Sequence, residues 1–291
     1  RLLRRLAPRV VVGFGGYPSL PTMLAAASLG LPLLIHEQNA VLGRANRLLA
    51  GRARAVATAF PETLGLRPRD QARASHTGNP VRPAILARTA EYAPPAAAGA
   101  IELLVIGGSQ GARVLSEIVP PALAALPEEL RRRLRVVEQA RPEDREGVAE
   151  AYRRDAIDAE VESFFRDMPD RLERAHLVIS RAGASTIAEL AAIGRPAVLI
   201  PYPHAMDDHQ NGNARAFAAA GCGWIMPQRE LSAAGLARRL EGLLGDGESL
   251  ARAARRARGF GRRDAAERLA SLALSIAPPA GCAAPRRECA A

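Results

Sequence analysis

Residues 103–113 read Leu-Leu-Val-Ile-Gly-Gly-Ser-Gln-Gly-Ala-Arg, an apolar strand that runs into a glycine turn and then opens a helix. Such a turn lets backbone N–H groups approach a phosphate closely, and the N-terminus of the following helix adds partial positive charge. The alternative is that Gly107, Gly108 and Gly111 only make a tight strand-to-helix turn, because a short glycine motif is weakly specific by itself. The turn sits in mid-chain, after another set of strand-and-helix units. It therefore opens a second α/β domain, and two domains with a ligand between them are expected.

Working outward, apolar strand-like runs recur at 10–12, 33–35, 55–58, 103–106, 136–137, 161–164, 177–180 and 197–200. Helical periodicity fills most of the gaps, at 21–29, 112–126, 143–154, 184–193 and 210–220. This alternation predicts parallel sheets covered by helices, in two doubly wound Rossmann-like domains. The Ala-Pro-Pro-Ala-Ala-Ala-Gly stretch at 93–99 breaks the pattern and reads as the linker between a first domain at 1–92 and a second at 100–250. After Leu231 the pattern is helical only, with helices at 251–276 expected to pack back on the first domain. Residues 277–291 are mostly Pro, Ala and Gly and are expected to be disordered. The first domain offers only about three strands where such a fold usually has five or more, and no initiating Met precedes it, so an N-terminally truncated chain is expected.

At 291 residues and 48% apolar, the chain can bury two medium cores. No run approaches the roughly 18 apolar residues that span a bilayer, and no signal segment opens the chain, which implies a cytosolic protein. Cys222, Cys282 and Cys289 are odd in number and not spaced for metal, so reduced thiols are expected and no metal site. Every cation is Arg, and the charge is unevenly placed. Residues 1–95 hold 13 Arg against 4 acidic residues, and residues 251–291 hold 9 against 3, while the middle is net negative. The basic segments imply an anionic partner: an anionic lipid surface or a phosphorylated substrate. Nucleic acid fits poorly, since aromatics are 4% and no stacking or groove-reading motif is present.

In open parallel sheets ligands bind at the carboxyl ends of strands, and the residues that follow each apolar run here are rich in polar groups. They are Gly13-Phe14-Gly15-Gly16-Tyr17, His36-Glu37-Gln38-Asn39, Gly78-Asn79-Pro80-Val81-Arg82, the 107–112 turn, Phe164 to Met168, Arg181-Ala182-Gly183-Ala184-Ser185-Thr186 with Glu189, and Pro201 to Asn213. Singly, each has a plainer account: His36 and Glu37 as a loop pair, Arg82 as a surface ion pair, Ser185 and Thr186 as helix caps, His209-Gln210 as a solvated helix start. Seven such loops at strand ends are harder to dismiss.

Taken together and in order over about residues 1–275, these motifs resemble the MurG family of peptidoglycan glycosyltransferases. The resemblance implies the GT-B architecture and transfer of N-acetylglucosamine from UDP-N-acetylglucosamine to the C4 hydroxyl of N-acetylmuramic acid in lipid I, giving lipid II. It implies donor contacts from Asn39, Arg82, Ser109, Phe165, Ala184, Ser185, Thr186, Ile187, Ala188, Glu189 and Gln210, with Gly107, Gly108 and Gly111 as the phosphate loop. Within that set, Phe165 would meet uracil through its backbone, Glu189 the ribose hydroxyls and Gln210 the sugar hydroxyls. Asn39 and Arg82 would close on the donor from the first domain. His209 stands where the family often has Gln.

The family's first glycine-rich loop, with its histidine, lies upstream of anything present here, which leaves the catalytic base unassigned; His36 and Glu37 are candidates. The acceptor and membrane side would include Tyr17, Arg1, Arg4, Arg5, Arg47 and Arg52. The implied partners are UDP-N-acetylglucosamine, lipid I, the anionic inner-membrane surface at its cytoplasmic face and other cell-wall synthesis proteins. No cofactor is expected, and the sequence has no Asp-x-Asp motif. Two alternatives stay open: a UDP-sugar 2-epimerase, which shares the architecture, and a non-catalytic interaction module of the cell-wall machinery.

Overall fold

The structure, a computed structural model, describes residues 1–108 and 111–279. Ser109, Cys282, Cys289 and most of the tail expected at 277–291 therefore lie outside the described residues. The chain divides into two compact units, one of residues 1–80, 206–212 and from Arg262 onward, the other of residues 81–205 and 213–261.

The first unit holds a parallel sheet of β1 (Val11–Gly13), β2 (Leu33–Glu37), β3 (Ala55–Thr58) and β4 (Ala74–His76), in that order. Four strands stand where about three were expected; β4 is short and carries Ala, Ser and His, so it has no apolar signature. Strand alternation distributes the core. Leu33 and Ile35 face Met23, Ala26, Leu49 and Val56 on one side. Leu34, Ala55 and Ala57 face Leu269 on the other, where the helix Ala265–Ile276 covers the sheet.

The second unit holds β5 (Ile101–Ile106), β6 (Leu134–Gln139), β7 (Asp158–Glu162), β8 (Leu177–Ser180), β9 (Ala197–Leu199) and β10 (Gly223–Ile225). Their spatial order is β10-β9-β8-β5-β6-β7, all parallel. Chain progression reverses between β5 and β8, which makes the carboxyl ends of those two strands the topological switch point, where open α/β sheets bind ligands. Both units are thus α/β with parallel sheets, as the alternation predicts; the reversal of a doubly wound sheet is present in the second, while the described strands of the first run in chain order. Among the described residues, no helix is long and apolar enough to cross a membrane.

The division falls after Pro80 rather than at the proline-alanine stretch 93–99, because residues 81–92 are tied down on the second unit. Arg88 pairs with Asp170 at 2.6 Å, the Ala90 N–H donates to Glu173, and the Tyr92 hydroxyl donates to the His176 carbonyl at 2.8 Å. Beneath them lies Arg195, 2% exposed, whose guanidinium donates to the carbonyls of Leu172, Glu173 and Gly194 and sits 5.4 Å from the Tyr92 ring. A buried guanidinium is tolerable only when its donors are satisfied in this way. The C-terminal helices also part company: Gly247–Phe260 belongs to the second unit and Ala265–Ile276 to the first.

One core residue titrates unusually. Glu138 follows Leu134 and Val136 on the inner face of β6 and is fully buried. The Tyr152 hydroxyl donates to its Oε2 at 2.5 Å, while Oε1 has no partner. Burial pushes the carboxyl up to about 8 from an ordinary 4.5. Between those values the folded state keeps a proton that the unfolded state has released, so on this account stability falls as pH rises. Glu138→Gln should flatten that part of the melting-temperature profile, whatever its effect on absolute stability. An unchanged slope would show that Glu138 is charged in the fold.

Candidate active site

At the switch point of the second unit, β5 ends and the chain turns through Gly107 and Gly108, with the Gly111 N–H donating to the Gly108 carbonyl at 3.0 Å before the helix Arg113–Ala124 begins. Gly108 and Gly111 adopt φ of 85° and 69°. Gly107 is required for another reason: a Cβ there would lie 2.3 Å from the Ala112 nitrogen and 2.5 Å from the Gly111 carbonyl carbon. The turn borders a cavity of about 620 Å³ lined also by Arg82, Phe165, Thr186 and Glu189. Residues expected from four separate loops therefore converge.

Arg82 donates from Nε to Glu189 Oε1 at 2.9 Å and from Nη2 to Oε2 at 3.1 Å, a two-pronged pair. Arg82 lies in the second unit and not, as its sequence position suggests, in the first, because the segment after Pro80 is held by the contacts of residues 88–92. Glu189 stands on the helix Ala184–Ile193, whose N-terminal neighbour is Gly183. Ser185 and Thr186 are inside that helix and do not cap it with their side chains. Ala184 and Ala188 are half-buried, but Ile187 is 2% exposed, so its side chain belongs to the core and only its backbone could face a ligand. Phe165 is buried, with the Arg171 guanidinium 4.1 Å from its ring centroid, an arrangement that fixes the backbone between β7 and the next helix. Beside it, the Gln139 side chain donates to the Ser163 carbonyl at 3.2 Å.

In the first unit a second cavity, of about 400 Å³, is lined by Phe14, Gly16, Tyr17, Asn39, Asn46 and His209, among others. Its floor is organised by Glu37. One carboxylate oxygen accepts from the Asn39 N–H at 3.0 Å and its side-chain amide at 3.2 Å, the other from the Gly43 N–H at 2.9 Å and the Asn46 amide at 2.8 Å. His36 is fully buried, donates from Nε2 to the Gly78 carbonyl at 2.9 Å, and is kept neutral by burial, which lowers its pKa. Both candidates for the base thus serve to shape loops: the carboxylate is already engaged by four donors and the imidazole is closed off from solvent. Gln210 stands half-buried in the first turn of the helix His209–Ala219.

Of the basic residues, Arg1 is exposed just before the helix Leu2–Leu6 and Arg4 and Arg5 are exposed on it, with Leu2 57% and Leu6 63% exposed while Leu3 packs on the core. Arg47 donates to the Leu42 carbonyl and Arg52 to the Leu48 carbonyl. Arg166, from the strand-end loop 164–168, also lines the larger cavity; sequence reasoning missed Arg141, which lines it too, and Arg44, at the rim of the smaller one. The strand-end rule could have found Arg141, since it stands two residues past the end of β6.

Comparison with known proteins matches residues 102–269 to the glycosyltransferase family 28 C-terminal domain and residues 1–58 to the family's N-terminal domain. A Rhodospirillum centenum protein is 57% identical over 95% of this chain and 73% of its own length. A Rhizobium meliloti protein is 51% identical over 95% of this chain and 74% of its own length. Both are named UDP-N-acetylglucosamine–N-acetylmuramyl-(pentapeptide) pyrophosphoryl-undecaprenol N-acetylglucosamine transferase. Among solved structures, MurG from Acinetobacter baumannii superposes with a TM-score of 0.79 at 33% identity, covering 94% of this chain and 77% of that one. A UDP-GlcNAc 2-epimerase from Neisseria meningitidis, at 13% identity and TM-score 0.66 over 94% of this chain and 78% of its own, shares the fold alone.

Proposed function

The chain belongs to glycosyltransferase family 28, and from that premise we infer that it is an N-acetylglucosaminyltransferase that moves the sugar of UDP-N-acetylglucosamine onto lipid I, forming lipid II for peptidoglycan. The observation that carries this is identity of 57% across 95% of the chain to a relative bearing that activity in its name. In the reaction the C4 hydroxyl of the acceptor attacks the anomeric carbon, its proton passes to a base, the bond from that carbon to the UDP oxygen breaks, and configuration inverts. The leaving diphosphate gains charge, and preorganised donors aimed at it lower the barrier most. The 107–111 turn, the N-terminus of the helix Ala184–Ile193 and Arg82 are the groups we assign to it, on the support of their convergence at one cavity. Glu189 is assigned to the ribose hydroxyls and the backbone at Phe165 to the uracil. Asn39 and Gln210 are assigned to the sugar.

Incubating the purified enzyme with UDP-N-acetylglucosamine and lipid I should yield lipid II and UDP. Formation of UDP-N-acetylmannosamine without acceptor would instead favour the epimerase, and neither product would favour an interaction module.

Lipid I is an anionic diphosphate held in a bilayer, and the exposed Arg1 just before the first helix and Arg4, Arg5, Leu2 and Leu6 on it form a basic and apolar mixture suited to that interface. We assign this face, with Arg47 and Arg52, to peripheral docking on an anionic membrane surface, each cation contributing on the order of 1 kcal/mol. Sedimentation with anionic vesicles should fall with added salt and with Arg→Glu at positions 1, 4 and 5. Binding indifferent to lipid charge would refute electrostatic docking.

A further inference from the structure

Residues 206–212 follow β9 in the chain but pack as part of the first unit. The segment is an unusual piece of backbone. Asp207 and Asp208 both adopt left-handed conformations, φ 53° and 56°, which L side chains take up rarely and Asp more readily than most. Such a turn persists only where its surroundings hold it. Three contacts do so. Arg44 Nε donates to Asp207 Oδ1 at 3.0 Å, and the Tyr17 hydroxyl is a second partner of the same guanidinium. His209 Nδ1 bonds the Met206 carbonyl at 2.6 Å. Gly212 lies so close to Val41 that a Cβ would sit 2.6 Å from its Cγ2. Asp207 is 17% exposed against 62% for Arg44, so the carboxylate is the seated partner and the arginine reaches over it.

We propose that Arg44 is a positioning residue for the sugar end of the donor: by pairing with Asp207 it seats the 206–208 turn, and with it the first helical turn that carries His209 and Gln210, against the cavity lined by Tyr17 and Asn39. This rests on the assignment of Gln210 to the sugar. Arg44 touches neither the nucleotide cavity nor, in this role, any substrate atom. Its effect is on where the amide of Gln210 stands. Because the turn is left-handed, only a side chain tolerant of that backbone can supply the carboxylate, and Asp207 meets both conditions.

Arg44→Met keeps the aliphatic stem and removes the charge; Asp207→Asn keeps the left-handed tolerance and removes the charge from the other side. In the enzyme, either change should speed hydrogen exchange of backbone amides 208–212. Either should raise the KM for UDP-N-acetylglucosamine about twofold to fivefold, the range open to an exposed ion pair. The affinity for UDP alone and kcat should stay where they were, the double variant should be no worse than either single one, and Arg44→Lys should recover part of the loss. Unchanged exchange in the segment would overturn the docking role. Equal losses for UDP and UDP-N-acetylglucosamine would overturn the sugar-end role. Should Gln210→Ala leave the donor KM unmoved while Arg44→Met still speeds exchange, the sugar assignment of Gln210 fails and the seating of the turn stands.

Discussion

Gly107→Ala should abolish measurable binding of UDP and UDP-N-acetylglucosamine, and should do so at a position where one methyl group is all that is added. The atoms that a Cβ would meet, the Ala112 nitrogen at 2.3 Å and the Gly111 carbonyl carbon at 2.5 Å, are both backbone. Neither can swing aside as the end of a side chain could. The turn must open, which displaces the 107–111 segment that we assign to the diphosphate and the start of the helix Arg113–Ala124 that follows it. Overpacking of this kind costs about 1–3 kcal/mol of stability, and a phosphate cradle displaced by a fraction of an ångström loses its charge-assisted bonds as well. Calorimetric titration with UDP, beside a thermal melt, measures both effects. Gly147→Ala is the control: it lies in the helix Arg145–Arg154 with open space where a Cβ would go, and should be neutral or slightly stabilising. A folded Gly107→Ala chain that binds UDP as well as the wild type would remove the turn from the nucleotide site.

The turn around Gly107 was legible because its physics is local: an apolar strand, glycines and a helix start within eleven residues. The strands β2, β3 and β8 were legible for the same reason, each being a run buried on both faces. What stayed hidden is whatever depends on distant partners. β10 is three residues, Gly-Trp-Ile, and becomes a strand only by pairing with β9. The unit boundary followed no composition signal, since Arg88, Tyr92 and Arg195 find their partners across more than eighty residues of sequence in the Arg88–Asp170 and Tyr92–His176 contacts. His36 and Glu37 are a different case: their residue types suggest proton transfer, and it is their hydrogen bonds that show Glu37 holding a loop and His36 a turn. Ile187 carries the same lesson on a helix, where the second residue after Ser185 rotates into the core.

Glu189 and Arg82 should prove to be coupled, and their variants should impair function far more than folding. The pair is partly solvated, with Arg82 58% and Glu189 17% exposed, so its own contribution to stability is small. A carboxylate oxygen has two acceptor sites, and Arg82 takes one from each. Glu189 therefore keeps capacity for ribose hydroxyls while the guanidinium fixes the plane in which it offers that capacity. Glu189→Ala should weaken UDP-N-acetylglucosamine binding by about 1–3 kcal/mol, roughly fivefold to more than a hundredfold, because buried hydroxyls then face no acceptor. Arg82→Ala should lower turnover, since it removes a cation from the leaving diphosphate and frees Glu189 to rotate. Arg82→Lys should recover only part of it, because an ammonium cannot bond both carboxylate oxygens in one plane. Titration of the two single variants and the double variant measures the coupling directly. If both residues act at one nucleotide, the double variant loses less than the sum of the singles. Strict additivity would mean that the two residues act independently and not through one nucleotide, and a lysine variant with wild-type turnover would remove the two-pronged bond from the account of turnover.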